Sequence, residues 1–146
     1  MNALQFIAWI FVHIAIPIFA PIALLPLLGI GRTYREHARG LVYSVVKDGQ
    51  LFWPVIAMSA GATYELAGYL ENASGWPRVI AWTALVFHVV LIIYSAVLVM
   101  LGAIDSLDRS DNKPASGALR IVLVSIVFTV LSALTFAIFH FVITGR

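Results

Sequence analysis

Apolar positions along this chain come in four long runs, at about residues 3–30, 50–70, 79–103 and 120–143. Each run reaches the roughly 20 residues that a helix needs to cross a bilayer. The pattern predicts an all-α, integral membrane four-helix bundle, built as a single transmembrane domain over residues 1–146. The first run lacks a basic leader and is longer than the apolar core of a signal peptide, so it reads as a retained helix. Within it, "FVHIAIPIFAPIALLP" carries Pro17, Pro21 and Pro26. Each proline removes a backbone donor and crowds the carbonyl four residues back, so the first helix is expected to be kinked. A helix broken there to make a binding point, as in some transporters, is the sharper version. No inverted repeat of hydropathy supports it.

Three polar connections separate the runs, and their charges set the expected orientation. Arg32, Arg35, Arg39 and Lys47 fall in the first, and Arg109, Lys113 and Arg120 in the third. Only Arg78 and Arg146 remain for the other side. Lysine and arginine concentrate on cytoplasmic loops, which places both termini outside in a multi-pass protein of the cell inner membrane. Trp76 and Trp82 flank Arg78, and Trp53 lies near the opposite end of the second run, as an aromatic belt requires. The first connection, with Tyr34, Leu41, Val42, Tyr43, Val45 and Val46 among its arginines, reads as an interfacial helix or as solvated loop. The third spaces Asp105, Asp108 and Asp111 by three, but "NKPASG" makes a polar turn the simpler reading than a magnesium site.

Composition agrees with this reading. Hydrophobic residues make up 62% of the chain and charged residues only 11%, against about a quarter charged in soluble domains. With no cysteine, thiolate metal sites, disulfides and thiol redox chemistry are excluded. A formal charge of +2 is too small to imply a nucleic-acid partner.

Candidate chemistry is confined to a few polar groups inside the apolar runs. Each run holds one titratable residue: His13, Glu65, His88 and His140. Ionisable groups at membrane depth are rare and are functional candidates by default. With a rise of about 1.5 Å per residue, His13 and His88 lie about 12–15 Å below the outer boundary, and Glu65 and His140 about 6–8 Å. All four belong to the outer half. Helical phase puts Ala57, Gly61, Glu65 and Gly68 on one face of the second helix. On the third, Ala81, Ala84, His88, Ser95 and Gly102 align, and on the fourth Ser125, Thr129, Ser132, Phe136 and His140. These are the faces expected to meet other helices.

Matched depth makes Glu65 and His140 the expected buried polar pair, acting as interhelical glue or carrying a proton. His13 and His88, also matched, are conditional axial ligands of a b-type haem, with Arg78 placed to meet a propionate. Three histidines with Glu65 are chemically allowed as a zinc or iron site, though two depth layers strain a single coordination sphere; no metal ligand is assigned. No catalytic constellation is legible. The leading expectation is a non-catalytic accessory or interaction subunit of a membrane complex or homo-oligomer. A haem-binding anchor passing electrons to quinone, and an oligomeric proton-linked transporter or channel, are the alternatives.

Overall fold

The computed structural model describes residues 2–23, 52–107 and 118–144. Pro26, the basic first connection and the aspartates Asp108 and Asp111 lie outside the described residues. Helix α1 (Ala3–Ile10) passes through a π-helical turn (Phe11–Ala15) into α2 (Ile16–Ala23). Three long helices follow: α3 (Phe52–Leu70), α4 (Gly75–Leu107) and α5 (Ala118–Thr144). No strand occurs among the described residues.

Local chemistry explains the element ends. Asn2 caps α1: its side chain accepts from the Gln5 amide at 2.9 Å, and its own amide donates to Gln5 Oε1 at 3.0 Å. This reciprocal box satisfies two donors that a helix start leaves open. The Ile16 amide donates to the Phe11 carbonyl, five residues back. Pro17, next in sequence, has no amide hydrogen and its ring crowds the His13 carbonyl. A π-helical turn thus lies directly before Pro17, a place where a wider turn accommodates such crowding. Between α3 and α4 the chain reverses over four residues, and Gly75 sits at φ +64°. Side chains with a Cβ resist that left-handed conformation.

Helix α3 is central. It packs along α4, against α5, and against the π turn and α2, whereas α4 and α5 scarcely touch. Eight of its 19 residues are buried: Phe52, Pro54, Val55, Met58, Ser59, Ala62, Leu66 and Leu70. One apolar cluster joins Leu66, Leu70, Ala81 and Ala84, with Phe139 and Ile143 packed against it. A second joins Met58, Ala62 and Phe136, with Trp9, Ile14 and Ile18 beside it.

Among the described residues, three helical stretches are long and apolar enough to cross a membrane: Ala3–Ala20, Gly75–Gly102 and Arg120–Ile143. They fit a multi-pass membrane protein. The expected fourth span, α3, meets the length, at about 28 Å, but is not apolar enough to count. The reason is its position. Only 6% of the first span and 22% of each of the other two is buried, so their outer faces must suit lipid. The central helix meets protein, and so tolerates Ser59, Thr63, Glu65 and the glycines Gly61 and Gly68 along its length.

The α4 and α5 faces named from sequence are buried at Ala81, Ala84, His88, Ser95, Ser125, Thr129, Ser132, Phe136 and His140. The α3 face is rotated from expectation. Ala57 and Gly68 are exposed, and Gly61 and Glu65 lie at its flank. Gly61 still matters, because a Cβ built there would stand 3.3 Å from the Phe136 ring, while one at Gly68 meets nothing within 4 Å. Gly61→Leu is therefore expected to destabilise the fold by about 1–3 kcal/mol through overpacking. Gly68→Leu should be neutral. Thermal unfolding followed by far-UV circular dichroism in detergent checks the contrast, and equal behaviour of the two variants would contradict this packing.

Candidate functional site

The polar residues collect in two layers. In the layer nearer the α3–α4 turn, His140 Nδ1 lies 2.7 Å from Glu65 Oε2. The pair bridges α3 and α5 across 75 positions of sequence. Trp9 Nε1 donates to the other carboxylate oxygen, Oε1, at a long 3.4 Å. A carboxylate oxygen accepts, so His140 is assigned its proton on Nδ1. The side chain of Glu65 stays 27% exposed and that of His140 10%. Glu65 thus sits at an edge of the packed helices with its acceptors engaged from one side.

Trp9 organises the first helix around this pair. Its indole stacks on His140 with centroids 4.0 Å apart and planes at 19°, and on His13 at 5.0 Å and 14°. His13 is four residues on, so the same helical face carries both rings. The His13 Nδ1–H donates to the Trp9 carbonyl at 3.1 Å. Phe136 and Phe141 meet the indole at 5.0 Å and 5.3 Å, steeply inclined.

The second layer is more deeply enclosed. Ser59 Oγ and Ser132 Oγ are 3.0 Å apart, and His88 Nδ1 is 3.3 Å from Ser59 Oγ. One hydroxyl pair and one imidazole thereby join α3, α4 and α5. Ser59, His88 and Ser132 are each 0% exposed. Among the described residues, His88 Nε2 and Ser95 Oγ are buried without a hydrogen-bond partner. Phe136, itself 1% exposed, lies one turn from Ser132 and one turn from His140, between the two layers on α5.

The depth match between His13 and His88 does not translate into shared surroundings. His13 joins Trp9 and Phe136, while His88 is held by Ser59. Arg78 is exposed in the first turn of α4. Among the described residues, no group of three His, Cys, Asp or Glu side chains gathers as a metal site.

Sequence reasoning overlooked Trp9 and Ser59. Trp9 could have been found, since it stands one turn before His13 and nearer the level of Glu65 and His140. Ser59 stands six residues from Glu65 within a run dominated by small and apolar side chains, and nothing local distinguishes it from any helical serine.

Glu65 and His140 should be energetically coupled. In a double-mutant cycle, Glu65→Gln and His140→Leu are expected to deviate from additivity by on the order of 1 kcal/mol, as for interhelical hydrogen bonds in membranes. Reversible unfolding in mixed detergent micelles measures it. Strict additivity would mean that the contact contributes nothing.

Compared with protein-family models, curated proteins and solved structures, the chain matches none.

Proposed function

We propose that this chain is a four-helix inner-membrane protein that acts without catalysis, as an accessory or interaction subunit, and meets its partner at the edge where Glu65 emerges. One observation carries the reading. A carboxylate paired with His140 at 2.7 Å retains 27% of its side-chain surface open, about 8 Å from the end of its helix. Hydrocarbon offers no hydrogen bonds, so polar groups at such depth face protein or water. A donor-bearing helix from another subunit, or from a second copy, completes the surroundings that Trp9 and His140 begin. The remaining exposed surface of the long helices, including Val86, Ile93, Val97, Leu123, Val130 and Leu134, suits lipid.

Assembly is the readout. In native membranes the wild-type chain should migrate in a complex larger than the single chain. Glu65→Leu should release the single chain, with helicity unchanged. Glu65→Gln should also weaken the assembly if the carboxylate's charge is what the partner reads. Wild-type protein that is monomeric at native abundance, or assemblies unaffected by Glu65→Leu, would remove the basis of this reading.

The orientation is open to a direct check, because the chain has no cysteine of its own. A single cysteine at Ser74 should react with an impermeant maleimide added outside intact cells, and one at Ser110 should react only after lysis. The reverse pattern would place the Glu65 layer in the cytoplasmic leaflet.

A further inference from the structure

Away from Glu65, the described ends of α3, α4 and α5 line a groove. It is lined by Phe52, Leu98, Leu101, Gly102, Ile121 and Val124, with a volume of about 280 Å³. Arg120 also lines it and is exposed. The positions of these residues in the spans give the groove its meaning. The apolar span of α4 ends at Gly102, and that of α5 begins at Arg120. At about 1.5 Å per residue, the 28-residue α4 span is about 42 Å long, which exceeds the roughly 30 Å hydrocarbon core and reaches the headgroup layers. The α5 span, 24 residues or about 36 Å long, also exceeds that core, so in the membrane reading Arg120, its first residue, falls at the headgroup end with the apolar lining beneath it.

We propose that this groove is a binding site for one anionic phospholipid, its phosphate on Arg120 and an acyl chain between α4 and α5. The inference rests on the membrane reading above. Charge complementarity selects the occupant: a guanidinium at the rim matches a phosphate oxygen pair bidentately, and the wall below offers only hydrocarbon. Basic pockets between transmembrane helices recognise headgroups in this way. Gly102 keeps the wall shallow where a chain enters. The groove at the opposite end, lined by Leu66, Tyr69, Pro77, Ile80, Phe139 and Val142 among others, has no cationic side chain. It lacks the headgroup half of such a site.

The full chain would be reconstituted in vesicles of phosphatidylcholine with one quarter phosphatidylglycerol, re-extracted in mild detergent, washed, and its retained lipid quantified by mass spectrometry. Wild type should retain phosphatidylglycerol well above its bulk share. Arg120→Gln should lower that enrichment by about fivefold, the effect of one basic residue at an anionic surface. Gly102→Leu, which fills the groove without introducing a poor helix former, should lose retained lipid of both kinds. Leu98→Trp serves as a second filling variant if Gly102→Leu loses helicity. Phosphatidylglycerol at its bulk share in wild type overturns the site. So does enrichment unchanged by Arg120→Gln, the result expected if that guanidinium is committed to a carboxylate of its own chain. Retention unchanged by both filling variants also overturns it. Protein that is soluble without detergent would sink the membrane reading and this site with it, whereas loss of enrichment alone leaves the membrane reading standing.

Discussion

A polar side chain among helices in hydrocarbon must find its hydrogen bonds in other helices, because the solvent offers none. The rest of this structure depends on that constraint. Glu65 is bonded from α1 and from α5, and Ser59 from α4 and α5. Both belong to α3. A helix with two such residues, each requiring partners from different neighbours, has to be surrounded. Its central position and its lower hydropathy are two expressions of one requirement.

The same requirement shapes the neighbours. Helices α4 and α5 turn many small and hydroxylated residues inward and their branched aliphatic residues outward; His88, Ser132 and His140 serve α3, while Thr83, Ser125, Thr129 and Thr135 bond back to their own helix. Thr129 donates to the Ser125 carbonyl at 2.7 Å and Ser125 to the Val122 carbonyl at 2.8 Å. Such back-bonding satisfies a hydroxyl without help from a second helix. Phe136 divides the interior into two polar compartments, one at the edge with Trp9, His13, Glu65 and His140, the other sealed around His88. The ring fits there because Gly61 presents no side chain to it.

The edge compartment and the groove by Arg120 lie at opposite ends of the helices and differ in kind. At the first, an aromatic stack holds an acid–imidazole pair at a partly open edge, which suits recognition of a donor from a neighbouring helix. At the second, an apolar channel under a cation suits an amphiphile. The Trp9 indole is held there by stacking on His13 and His140 and through Nε1 by Glu65.

Much was determined by the sequence alone. Long apolar runs dictate helices, and a single carboxylate and a single imidazole at equal depth allow Glu65 and His140 to meet, provided that their helices are rotated towards each other. The inward faces of α4 and α5 were legible because small and hydroxylated residues recur there at helical spacing. What the tertiary structure decided was which helix is surrounded, and so how each is rotated. Ala57 and Gly68 share a face with Glu65 by periodicity, yet that face is turned aside, because the bulkier Val55, Met58 and Leu66 bury more apolar surface when they point inward. Depth alone paired His13 with His88. Packing instead set His13 behind Trp9 and His88 against Ser59, since a position along a helix axis says nothing about the direction in which a side chain leaves it.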